Sequence, residues 1–225
     1  MLSNYCFFSG IHLRAQYLEK QPNLISSKRV LELGAGIGLV GIAAGVLGAK
    51  EVLLTDLPYA LPNMRENVRR NARLLQEAGC MNVICSACDW YNPPSLEELG
   101  AAVTATNAYN GSSTNQGDSH CEPPQDATQK LSWIPDIILI ADCVWMQELV
   151  APLLATLKHF ILSAEKASPF KKRPEILISY QRRGKSTHEE FWSGLHTSFD
   201  ATVEEIDVSS VGLTKPESIY LLSLK

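Results

Sequence analysis

The sequence predicts a doubly wound α/β fold: one seven-stranded sheet, mostly parallel, with helices on both faces and an antiparallel strand at its C-terminal end. Three observations predict it. From Lys28 onward, apolar runs of strand length alternate with segments of helical period, the pattern of strands each followed by a covering helix. The first of these runs enters a glycine-rich turn, Gly34 to Gly38, just before a helical segment. The last two strand-like pieces have no helix-length segment between them, so they must pair antiparallel.

The elements follow in order. Val-, Ile- and Leu-rich runs predict strands at 29–33, 51–55, 82–87, 136–141 and 175–180, the near-continuous apolarity of strands buried on both faces. Helical periodicity predicts helices at 39–47, 61–78, 147–162 and 187–199. Two final strands are expected at 201–208 and 218–224. Between Pro93 and Trp133 the composition turns to Gly, Ser, Thr, Asn, Gln and Pro, too polar to bury a core of its own. Residues 95–131 are therefore expected to form an unstructured insertion in a single domain spanning residues 1–225.

Composition removes several function classes. A chain of 225 residues with 45% hydrophobic content can build one α/β core but not two large ones. Its 20 basic against 24 acidic residues lack the clustered positive field that phosphate backbones require, so nucleic acid is not an expected partner. No apolar stretch approaches the about 20 residues that span a bilayer, and the N-terminus has no basic patch leading into an apolar run. The expectation is a cytoplasmic protein, with the nucleus as a second compartment, acting as a monomer. Among six cysteines, Cys85 and Cys88 have C-x-x-C spacing, but no second Cys/His pair completes a zinc set. They read as small buried thiols, and no metal is expected.

The segment V30-L31-E32-L33-G34-A35-G36-I37-G38-L39 puts backbone N–H groups where a ligand can come close. The following strand ends at Asp56, twenty residues beyond Gly36, where a carboxylate can accept from both ribose hydroxyls. Together these predict a nucleoside cofactor in a Rossmann-like site. Gly36, Gly38 and Gly41 also satisfy the dinucleotide pattern G-x-G-x-x-G. Glu32 argues for a different cofactor, because a carboxylate inside an apolar strand is costly to bury without a partner. The ammonium of a methionine moiety would be such a partner, which points to S-adenosyl-L-methionine.

With these residues in view, LELGAGIGLVGIAA, LTDLPYALPNMRENV, CDW and ILIADCVW resemble the protein-lysine methyltransferases of the seven-strand, methyltransferase-like family. The resemblance covers nearly all of the chain except the insertion. It implies a methyl donor held at Gly34, Ala35 and Gly36, its ribose on Asp56, its adenine beside Trp90 and Asp89, and its sulfonium near Ala141. It further implies a protein lysine as acceptor; an acid at the carboxyl end of the fourth strand makes Asp142 the expected catalytic group, holding one amine hydrogen and aiming the lone pair. The family's upstream tryptophan lid corresponds to Phe8 here, and its aromatic three residues after the acid to Trp145. Trp145 can face a lysine ammonium through its π cloud but cannot donate as a phenol would, so Tyr180 is the candidate for orienting the amine. A helix-start aromatic packed in the core is the plainer reading of Trp145.

Asn92-Pro93-Pro94-Ser95 has the outline of an N-P-P-aromatic amide-methylation motif, but follows the third strand instead of the fourth and ends in Ser. The basic stretch Tyr180 to Lys185 lies at a strand's carboxyl end, either as a contact for an acidic substrate segment or as a solvated loop. His188 and His196, two turns apart on a helix, have no carboxylate at ligand spacing. The sequence leaves two further classes open: a methyltransferase-like binding module without turnover, and a small-molecule methyltransferase.

Overall fold

A computed structural model describes residues 9–80, 82–110, 133–182, 184–211 and 218–224. It contains strands β1 (Arg29–Leu33), β2 (Glu51–Asp56), β3 (Asn82–Ala87), β4 (Ile137–Ala141), β5 (Glu175–Tyr180), β6 (Ala201–Ile206) and β7 (Ser218–Leu224). The helices are α1 (Ser9–Lys20), α2 (Leu39–Val46), α3 (Leu61–Arg70), α4 (Ala72–Glu77), α5 (Leu96–Asn110), α6 (Val150–Ala167) and α7 (Lys185–Ser198). The seven strands form one sheet in the order β3-β2-β1-β4-β5-β7-β6. Neighbours from β3 to β5 are parallel, and β7 runs antiparallel to both β5 and β6.

Strand alternation divides the core in two. Val30, Val52, Leu54, Leu139 and Leu177 point to the face covered by α1 to α4, whereas Leu31, Leu33, Leu53, Ile138 and Ile178 point to the face covered by α5 to α7. Because both faces are covered, the central strands are apolar throughout, which is why they are legible as runs.

Three differences from the sequence expectations have local causes. The predicted helix 61–78 is broken at Asn71, whose side-chain amide donates to Asn67 O at 2.8 Å and competes with the helix ladder. Helix α1 was not expected, yet it buries Ala15, Tyr17 and Leu18. The expected unstructured insertion 95–131 is corrected over its first part, where α5 forms. Ser95 and Glu98 make a capping box there: Ser95 N–H donates to Glu98 Oε2 at 2.7 Å, and Glu98 N–H donates to Ser95 Oγ at 3.2 Å. Leu96, Leu99 and Val103 then join the core, along with Trp133, which closes onto Gly100. Residues 111–132 lie outside the described residues.

The order of the strands creates a crevice. The connection from β1 continues into α2 on one face of the sheet, and that from β4 into α6 on the other. Adjacent parallel strands whose helices leave to opposite faces part at their carboxyl ends, where open α/β sheets bind ligands.

Candidate functional site

The glycine turn stands at this crevice. Gly34, Gly36 and Gly38 all have positive φ, at 63°, 58° and 80°, a region that side-chain-bearing residues enter at a cost. Their surroundings differ. A Cβ on Gly34 would meet Cys143 Sγ at 2.7 Å and Trp90 Cζ2 at 2.9 Å, whereas one on Gly36 would meet nothing within 4 Å. Gly34 is closed in by protein, and Gly36 borders open space. The turn is moored to β2 by Ala35 N–H, which donates to Thr55 O at 2.9 Å.

Asp56, at the end of β2, accepts from Gly36 N–H through Oδ2 and from Leu57 N–H through Oδ1, each at 2.7 Å. A carboxylate oxygen has two lone-pair sites, so each oxygen retains one for a vicinal diol. Paired acceptors beside an open, glycine-lined cradle fit the ribose of a nucleoside cofactor.

Glu32 is 1% exposed, and its Oε2 accepts from Gly41 N–H at 2.8 Å. The buried carboxylate that argued for a cationic ligand thus has a partner within the chain, a backbone donor in the first turn of α2, where the helix dipole also favours negative charge. Gly41 permits this contact: a Cβ there would lie 2.7 Å from Glu32 Oε2.

At the end of β4, Ala141 is buried and Asp142 adopts a left-handed conformation with φ 52°, its N–H donating to Ser179 O at 3.2 Å. Cys143 and Val144 turn into the core, but Trp145 is 53% exposed. Core packing is therefore not what holds Trp145. Tyr180 differs from its expected position at an open acceptor site. It is buried, stacked 5.8 Å from Phe191 at 12°, and its hydroxyl meets His188 Nδ1 at 3.1 Å. Burial raises its pKa above the ordinary value.

After β3, exposed Asp89 accepts from Tyr91 N–H through Oδ1 at 3.0 Å, and the half-buried Trp90 lies against Gly34. Phe8 lies outside the described residues. Sequence reading missed Tyr91, which is 68% exposed and donates to Glu148 O at 3.3 Å, linking the loop after β3 to the turn before α6. Its place beside Trp90 was the available signal. Met146 continues the exposed apolar rim around Trp145. Burial pushes the Cys85 thiol up to about 11 and the Cys88 thiol up to about 12, the latter also under Asp89 and Asp56. Protonated thiols are poor ligands and nucleophiles, and no metal-holding group occurs among the described residues.

Solved structures share this fold at low sequence identity. The chain aligns with the pyocyanin biosynthetic protein PhzM over 95% of its own length and 55% of that chain, with TM-score 0.53 and 12% identity. With a TehB-like SAM-dependent methyltransferase from Corynebacterium glutamicum the figures are 96%, 97%, 0.50 and 13%. A seven-stranded sheet of this order, carrying a glycine turn and Asp56 at the crevice, is the S-adenosylmethionine-dependent methyltransferase fold.

Residues 6–102 match the family model described as lysine methyltransferase. The chain is 47% identical over 78 residues to protein-lysine N-methyltransferase rrg1 of Schizosaccharomyces pombe, covering 34% of this chain and 25% of that protein. It is 31% identical over 154 residues to protein-lysine methyltransferase METTL21E of Mus musculus, covering 68% and 46%. It is 49% identical over 55 residues to EEF1A lysine methyltransferase 3 of Xenopus tropicalis, covering 24% of each. The chain is similar to this lysine-methyltransferase family over these segments, and its matches span from about a quarter to just under half of those relatives' lengths.

Proposed function

We propose that the chain transfers methyl groups from S-adenosyl-L-methionine to a lysine side chain of a protein. The observation that carries this reading is the left-handed Asp142 at the end of β4, packed beside the glycine turn through Cys143 and followed by the exposed Trp145. An acid next to an exposed aromatic suits a long cationic side chain: the aromatic face attracts the ammonium, and the acid accepts its hydrogen.

When bound, the donor supplies an electrophilic methyl on a sulfonium. The protein's tasks are to align donor and amine and to exclude water. Asp56 would accept from the ribose hydroxyls, Gly34, Ala35 and Gly36 would cradle the methionine part, and Asp89 would accept from the adenine amino group. Trp90 supports Gly34 from behind. Ala141 keeps the sulfonium's surroundings small. Glu32 acts through the turn, by fixing the start of α2. A lysine amine must first lose the proton it carries below a pKa of about 10.4, which an apolar surround such as Trp145 and Met146 favours. Asp142 then holds one amine hydrogen and aims the lone pair. Tyr180 serves this reading indirectly, as part of the wall formed with His188 and Phe191.

The same reading takes the protein as a monomer that acts without nucleic acid, in the cytoplasm and secondarily the nucleus. The mildly acidic balance and the thiols Cys80, Cys85, Cys88 and Cys143, which form no disulfide, support it. Among the described residues no helix is long and apolar enough to cross a membrane.

Incubation with tritiated donor and a cell lysate tests the acceptor class. A labelled protein band that loses its signal when one lysine is replaced is expected; label only in small molecules would overturn the reading. Asp142→Asn should abolish turnover while calorimetric donor binding largely survives, and unchanged turnover would remove Asp142 from its role.

A further inference from the structure

We propose that Cys143 is a positioning residue for methyl transfer, a latch that fixes the glycine turn relative to Asp142. The proposal rests on the reading of Asp142 as the amine-holding acid. The last paired residues of β1 and β4 are Leu33 and Ile140. Just beyond them both chains leave the sheet in left-handed conformations, at Gly34 with φ 63° and at Asp142 with φ 52°. Two backbones that part this way have no further ladder bonds to set their separation. The Cys143 side chain occupies the gap: its thiol lies 3.2 Å from Leu33 O, 3.4 Å from Ala141 O and 3.8 Å from Gly34 O.

The fit is steric as well as polar. Sγ occupies the ground that a Cβ on Gly34 would need, at 2.7 Å, with Trp90 Cζ2 closing the other side at 2.9 Å. Cys143 is only 4% exposed, so water does not compete for Leu33 O through this side chain. A thiol has one proton, and the shortest contact gives it to Leu33 O, across the crevice from its own strand. A left-handed Asp142 persists only while its surroundings over-determine it. One side of that constraint is Asp142 N–H donating to Ser179 O, and the other is the following residue's latch to β1. The donor is cradled on the β1 side and the amine is held on the β4 side, so this contact sets the distance over which the methyl group travels.

The test compares wild type, Cys143→Ala and Cys143→Ser in three measurements: S-adenosylmethionine affinity by calorimetry, kcat and KM for the acceptor identified by the labelling experiment, and the thermal midpoint. Alanine removes the latch, and serine keeps a donor of similar size. Loss of alignment in Cys143→Ala should lower kcat about tenfold with acceptor KM nearly unchanged, and donor affinity should fall about fivefold, as for one lost hydrogen bond. Cys143→Ser should recover most of both. A purely structural role would move the thermal midpoint without this split or rescue. The proposal is overturned if Cys143→Ala keeps kcat within twofold, or if serine performs no better than alanine. If wild type binds the donor but methylates nothing, the activity reading fails on its own and the affinities decide the latch: equal values in all three proteins overturn it. A wild type that binds no donor overturns both.

Discussion

Replacing Gly34 or Gly36 by alanine separates two reasons for glycine within one turn. Both residues have φ near 60°, at 63° and 58°, a conformation whose penalty for a residue with a Cβ is about 1–2 kcal/mol. At Gly34 the new methyl would also stand 2.7 Å from Cys143 Sγ and 2.9 Å from Trp90 Cζ2, and overpacking of this kind adds about 1–3 kcal/mol. Restriction of the unfolded chain by alanine returns about 0.4–1 kcal/mol. Gly34→Ala should therefore lose about 2–4 kcal/mol of folding stability, a fall in thermal midpoint of about 5–15 °C for a domain of this size. Gly36→Ala meets nothing within 4 Å and should lose at most about 1.6 kcal/mol. Its methyl instead projects into the cradle beside Asp56, so donor affinity should fall at least about tenfold, the equivalent of about 1.4 kcal/mol. Urea unfolding and donor calorimetry on the two variants check this. The reasoning is refuted if Gly34→Ala is no less stable than Gly36→Ala, or if Gly36→Ala binds the donor as wild type does.

Two further outcomes follow from the same contacts. Glu32→Ala leaves the Gly41 N–H without the carboxylate that it meets at 2.8 Å, and a buried donor so stranded costs about 1–3 kcal/mol; Glu32→Gln, which retains an acceptor oxygen, should keep most of that stability in urea unfolding. Asp136 has a lowered pKa: burial opposes ionisation, but Arg29 N–H and the Lys172 ammonium outweigh it. A folded-state pKa below the unfolded one means stability present at neutral pH and lost as pH falls below the ordinary value of 3.8 through the lowered one. Stability measured down that range should drop less steeply in Asp136→Asn than in wild type, and identical slopes would contradict the assignment.

The parts of this protein that were legible in its sequence are those whose physics is local. β1, β3 and β5 were located residue for residue, because strands covered on both faces are continuous apolar runs. The antiparallel pairing of β6 and β7 followed from a connection too short for a helix. The glycine turn was legible because a strand that turns sharply into a helix through positive φ demands glycine, and Asp56, which accepts from Gly36 N–H, closes the next strand in the sequence. Helix α5 was legible in principle, through Ser95 and Glu98, but the polar composition of the residues after it masked the capping box. Tyr180 was not, since its position at the end of β5 says nothing of the ring of His188 beside it.

By itself, then, the sequence determined the class of fold, the place of the glycine turn and the acids within and after the strands. Only the tertiary structure decided what these residues meet: that Glu32 is held by the start of α2, that Trp145 stands exposed, and that Cys143 spans from β4 to Leu33 O. The physical reason is range. Backbone conformation and burial period are set within a few residues, whereas Cys143 and Leu33, separated by 110 positions, become neighbours only when β1 and β4 pair in the sheet.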